Sequence, residues 1–89
     1  MQLSPRCEQF IRERQHLANV SPRTLEWYRN SLRWIPNESP TQSDLNDAVI
    51  RMREKGNRPT GVNSVIRCLN AYLRWSGSPY TLEFQEEGV

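Results

Sequence analysis

The sequence predicts an all-α fold, a small bundle of four helices. Three observations lead there. Apolar residues recur at helical spacing in four separate stretches. Each stretch opens on a cap or proline signal and closes on a proline or glycine, or on a loop. The chain has 89 residues, room for one small domain, and four amphipathic helices with short loops bury their stripes most simply against one another.

The first helix is expected over 5–18. Ser4 suits the cap, and Pro5 suits the first turn, where its missing N–H costs nothing. Leu3, Cys7, Phe10, Ile11 and Leu17 define its inner face. The second is expected over 22–35 and opens on the same signal, Ser21-Pro22. Leu25, Tyr28, Leu32 and Ile35 form one stripe, and Pro36 ends it by pushing Ile35 out of the helical region. Asn37-Glu38-Ser39-Pro40 reads as a loop.

The third helix is expected over 42–55. Thr41 and Asp44 fit a Ser/Thr-x-x-acid start, although a capping box ordinarily uses Glu or Gln. Leu45, Val49 and Met52 face inward with Ala48 beside them, and Gly56 is a natural stop. The fourth is expected over 61–76 with Thr60 as cap. Its apolar face is broad: Val62, Val65, Ile66, Leu69, Tyr72 and Leu73. Gly77-Ser78-Pro79 breaks it. The domain is thus expected over 4–77, with 78–89 a tail or the start of a linker, extended near Tyr80 to Phe84.

Composition excludes several functions. A domain of this size buries roughly 60–65% of its unfolded surface, which leaves little room for a catalytic cleft. His16 is the sole histidine and has no nucleophile near it in sequence. Asp44 and Asp47 sit at a helix start, where capping and the helix dipole account for them, and Glu86-Glu87 is a terminal charge pair. No glycine-rich phosphate loop is present. Cys7 and Cys68 lack zinc-type spacing and read as small core or boundary residues. The expectation is therefore a non-enzyme with no cofactor and no metal. No signal peptide and no apolar run near 18 residues is read, which points to a reduced, cytoplasmic, non-membrane setting.

Net charge is only +2, but eleven of the twelve basic residues are Arg. Arg offers a planar fork that matches phosphate and guanine edges; a GC-rich genome gives the same bias. Position is more telling. On a wheel of about 100° per residue, the side of the fourth helix away from its apolar face carries Asn63, Arg67, Asn70 and Arg74, bordered by Thr60 and Ser64. No acid occurs from Lys55 through Leu82. An ordinary solvated helix face mixes opposite charges, because i, i+4 pairs stabilise it. This face has donors and amides only, which suits base edges and phosphates in a major groove.

The second helix carries Arg23, Trp27, Asn30 and Trp34 opposite its main stripe. The two Trp residues either pack on another element or form a platform for nucleic acid or protein. A helical protein-interaction module using the Trp27/Trp34 face is the alternative function. Arg29 and Arg33 are placed to reach phosphates, while Glu26 dilutes the face.

Taken in order, these segments resemble a known family. Ser21, Thr24, Tyr28, Leu32 and Ile35 follow the spacing of the second helix of the core-binding domain of tyrosine recombinases and phage integrases. Asp44-Leu45, Ala48-Val49 and Gly56 resemble its third helix. Thr60, Val62-Asn63, Ile66, Leu69 and Tyr72-Leu73-Arg74-Trp75 resemble its fourth. The resemblance runs from about Phe10 to Trp75. It implies a four-helix, SAM-like fold that grips double-stranded DNA as half of a clamp, partnered in the full protein by a C-terminal catalytic domain and by other recombinase subunits. Its DNA-contacting faces fall on Arg23, Thr24 and Trp27, and on Asn63, Ser64, Arg67, Asn70 and Arg74. Ser64 and Asn70 depart from the family, which often has a further base there. The family's catalytic residues are not in this chain, and Tyr28, Tyr72 and Tyr80 are not read as its nucleophile.

Overall fold

The computed structural model describes residues 3–86. Glu87 and the rest of the expected tail to Val89 lie outside them. Four helices are present: α1 (Pro5–His16), α2 (Pro22–Leu32), α3 (Gln42–Glu54) and α4 (Pro59–Ser76). No strand occurs among the described residues. The fold is an all-α four-helix bundle, as the periodicity predicts.

The helix starts follow from local chemistry. Ser4 Oγ accepts from the Cys7 N–H, and Ser21 Oγ from the Thr24 N–H, at 3.2 Å each. At α3 the Thr41 hydroxyl accepts from the Asp44 N–H, while Asp44 Oδ2 accepts from the Thr41 N–H at 3.0 Å. This is a complete reciprocal box built with the shorter acid. The start of α4 corrects the sequence reading. Thr60 is not its cap: Arg58 occupies that position in an extended conformation, and Pro59 is the first helical residue. A proline at that position fixes its own φ and forces its predecessor out of the helix. Arg58 contributes no side-chain cap.

The ends differ by up to three residues from expectation. Pro36 has no N–H to offer the Leu32 carbonyl, so the Ile35 N–H takes it at 3.1 Å and the Trp34 N–H bonds Ser31 at 3.1 Å. These shorter loops tighten the last turn, and α2 stops at Leu32. Helix α1 stops at His16, and Asn19 in the left-handed region (φ 57°) turns the chain. Leu17, expected on the inner face, is instead 80% exposed at this turn. Both α3 and α4 are followed by a left-handed glycine, Gly56 and Gly77, and the N–H of the residue after each glycine returns to the carbonyl of Met52 or Leu73.

Helix α4 is the axis of the domain. It packs on each of the other three helices; α1 and α2 also pack on each other, while α3 meets the helices through α4. Phe10 lies at the centre, with its ring edge-on to Tyr28, Tyr72 and Trp75 at centroid distances of 5.3, 5.7 and 5.5 Å. The expected inner faces of α3 and α4 are buried, apart from half-buried Val65, and Cys7 and Cys68 are core thiols. The α2–α3 loop is latched from two sides. The Arg6 N–H donates to Glu38 Oε2 at 2.8 Å, and the Tyr72 hydroxyl donates to the Glu38 carbonyl at 3.0 Å. No buried side-chain N or O among the described residues lacks a partner.

Packing does not end at Gly77. Leu82, placed by the sequence in a tail outside the bundle, is 6% exposed and belongs to the core cluster. The segment from Tyr80 to Gln85 is therefore part of the folded domain.

Candidate nucleic-acid interface

The outward face of α4 is divided into a ridge and two flanks. Thr60, Arg67 and Arg74 are exposed and lie at seven-residue intervals, so they form a line along the helix with about 10.5 Å between neighbours. Among the described residues neither Arg67 nor Arg74 forms a salt bridge with a carboxylate. Among the described residues the single salt bridge is Arg29–Glu8, at 2.9 Å, between α2 and α1. That half-exposed pair engages Arg29, expected to reach phosphates, with a carboxylate of α1.

One flank of the ridge is closed by α2. The Trp27 indole N–H donates to Ser64 Oγ at 3.0 Å, and its ring lies tilted on Tyr28 at 5.2 Å. Trp27 and Ser64 are half-buried and join α2 to α4. Trp34 is half-buried too, packed on the core, with Lys55 Nζ 5.8 Å from its ring centre. The two Trp residues are thus packing elements and not an open platform. Arg23 is exposed at the start of α2. Thr24 Oγ1 shares a hydrogen bond with Ser21 Oγ at 3.1 Å, which ties it to the helix cap.

The other flank is covered by the chain itself. Asn70 Nδ2 donates to the Leu82 carbonyl at 3.0 Å, and its Oδ1 accepts from the Leu82 N–H at 2.9 Å. Asn63 repeats the arrangement with Gln85, donating to its carbonyl at 2.9 Å and accepting from its N–H at 2.6 Å. The Thr81 hydroxyl adds a bond to Asn70 Oδ1 at 3.1 Å. Each amide therefore pairs with both backbone groups of one residue, as a neighbouring strand would.

The spacing explains why two such clamps fit. Asn63 and Asn70 are two turns apart, about 10.5 Å. Three residues of extended chain cover about 10 Å, so Leu82 and Gln85 meet the two amides in register. The order is reversed, so the segment runs antiparallel to α4. A repeat of three matches the turn of a polyproline-II-like chain, where every third residue faces the same way. Arg53 reaches Gln85 Oε1 in a long, exposed contact of 3.4 Å; the other five hydrogen bonds at about 1 kcal/mol each and the buried Leu82 at about 2 kcal/mol give about 7 kcal/mol. Ordering six residues costs at least about 6 kcal/mol. The segment is held, but near balance.

Of the residues expected to contact DNA, the structure leaves Arg23, Thr60, Arg67 and Arg74 open and places the last three on one line. Trp27 and Ser64 are joined to each other, and Asn63 and Asn70 are engaged by the chain. The sequence reading missed Thr81, Leu82 and Gln85. The available signal was an isolated apolar Leu82 after the helix break, together with two Asn residues seven apart on α4.

The thiols are chemically quiet. Burial pushes the Cys68 thiol up to about 12 and raises Cys7 as well. A protonated thiol is neither nucleophile nor ligand. The buried Tyr72 hydroxyl is also shifted upward, by desolvation first. No helix is long and apolar enough to cross a membrane among the described residues. No family model, no curated protein and no solved structure matches the chain.

Proposed function

We propose that the chain is a DNA-binding module serving site-specific recombination, which holds double-stranded DNA through the outer ridge of α4 and does not itself cut it. One observation carries this reading: Arg67 and Arg74 stand exposed in line on α4, on a helix with no acid, and neither forms a salt bridge among the described residues. A helix with an uncompensated basic ridge suits the major groove, which is about 12 Å wide. Thr60 continues the line, and Arg23 adds a contact from α2. The start of α4 has no side-chain cap, so its first-turn N–H groups are left available to a phosphate. The order and spacing of the four helices, which resemble the recombinase core-binding domain, support the recombination setting. In that reading a catalytic domain elsewhere in the full protein performs the chemistry, and other recombinase subunits assemble with it on the cytoplasmic DNA.

Asn63 and Asn70 are not primary contacts in the state described, because both amides hold the chain. The interaction-module reading based on Trp27 and Trp34 has no support from their half-buried, packed positions.

Anisotropy titration of labelled duplex across a salt series tests the proposal. Three Arg–phosphate contacts give a log–log slope near −3. The double variant Arg67→Ala/Arg74→Ala should flatten that slope and weaken binding. Affinity that ignores both salt and this variant would end the proposal.

A further inference from the structure

We infer that residues 80–85 form a strap that competes with DNA for the amide edges of Asn63 and Asn70. The inference rests on the DNA-binding reading and adds its regulation. In the closed state the strap covers one flank of α4. In the open state both amides join the Arg67–Arg74 ridge.

The chemistry of the two occupants is the same. A carboxamide presents one donor and one acceptor side by side. The N–H and C=O of one extended residue satisfy that pair, and so do N6–H and N7 of adenine. Both cannot be held together, since Asn70 Oδ1 already accepts from the Leu82 N–H and the Thr81 hydroxyl. Position favours competition too. Asn63 and Asn70 are the i−4 and i+3 neighbours of Arg67, so a duplex lying on the ridge reaches the flank that the strap covers.

The strap is built for release. Its polar bonds are made mainly by its backbone, and its one core anchor is Leu82. Tyr80 and Phe84 stay exposed, at 40% and 53%. A left-handed Gly77 followed by Ser78-Pro79 separates the strap from α4, so the helix need not unwind for it to leave. The strap carries Glu83, and Glu86 follows it directly; both are exposed, whereas α4 has no acid. Closed, it brings negative charge toward the basic ridge; open, it takes that charge away.

The test uses the full chain with duplex DNA, anisotropy for affinity and amide hydrogen exchange for the strap. Leu82→Ala removes the anchor without touching α4. Gln85→Pro removes the N–H that Asn63 accepts, and it leaves the core intact should Leu82→Ala fail to fold. Both variants should bind DNA about five-fold more tightly, because apparent affinity scales with the fraction of open molecules. In the wild type, DNA should speed exchange of the Leu82 and Gln85 amides. Salt-dependent binding lost in Arg67→Ala/Arg74→Ala but not strengthened in folded Leu82→Ala or Gln85→Pro ends the strap and spares the DNA reading. Leu82 and Gln85 amides that stay protected in the DNA complex also end it. No salt-dependent binding by the wild type or by either opened variant ends both.

Discussion

The two flanks of α4 are sealed in different ways. Toward α2 the contact is side chain on side chain: Trp27 on Ser64 and Tyr28, with buried Ser31 and the Cys68 thiol behind them. Toward the C-terminal segment it is side chain on backbone, two amides gripping two peptides around one leucine. The first flank is continuous with the Phe10 core and opens only if the domain unfolds. The second, on the strap proposal, detaches without unwinding a helix, because Gly77-Ser78-Pro79 separates it from α4. Burial alone does not separate them, since Leu82 is as buried as Tyr28; what differs is how much of the structure each contact is tied to.

The largest expected effect breaks the α2 flank. Trp27→Ala removes a half-buried ring and leaves Ser64 without its donor, which should cost about 2–3 kcal/mol. Thermal denaturation should show one cooperative transition shifted down by about 10 °C or more. Next comes the anchor of the other flank. Leu82→Ala should cost up to about 2 kcal/mol locally but move the global melting temperature less than Trp27→Ala, because the segment detaches before the core opens. Equal shifts would show that the flanks form one cooperative unit.

Asn70→Ala sharpens the contrast. It should cost about 1 kcal/mol and speed exchange at the Leu82 amide. The reaction of Cys68 with a thiol reagent, which requires the α2 flank to open, should keep its wild-type rate. Faster labelling of Cys68 would mean that the amide clamps support the core.

The smallest effect is acid sensitivity. The Trp75 indole, and after it Gln9, hold the Glu13 carboxyl below its ordinary value of 4.5. The Thr41 backbone N–H, and after it Asn37, hold Asp44 below 3.8. Depressed carboxyls stabilise the folded state above their ordinary values and lose that contribution as pH falls through the lower folded ones. The melting temperature should therefore be flat near neutrality and begin to fall below about pH 4.5. Asp44→Asn should shallow that fall; an unchanged profile would remove the α3 box from the acid response.

Much of the fold was legible because it is local. Ser4-Pro5 and Ser21-Pro22 fix two helix starts within four residues, and the stripe Leu45-Ala48-Val49-Met52 is buried as its spacing requires. The start of α4 is less legible. Arg58-Pro59 obeys the same proline rule as the two serine sites, but Arg58 lacks a capping side chain while the neighbouring Thr60 has one. The site was half legible. A wheel finds the acid-free face of α4, and the structure keeps Thr60, Arg67 and Arg74 on it. It cannot find what covers Asn63, because the partner Gln85 is 22 residues away and offers its backbone. Backbone partners leave no compositional trace.

The two amides also act as a ruler. They grip main chain, so most side chains between the clamps are free to change with little consequence. Length is not free. Removing or adding one residue between Leu82 and Gln85 shifts the second peptide by about 3.3 Å, too far for Asn63 to follow. Surface connections usually accept insertions easily. This one should accept new letters and refuse new length.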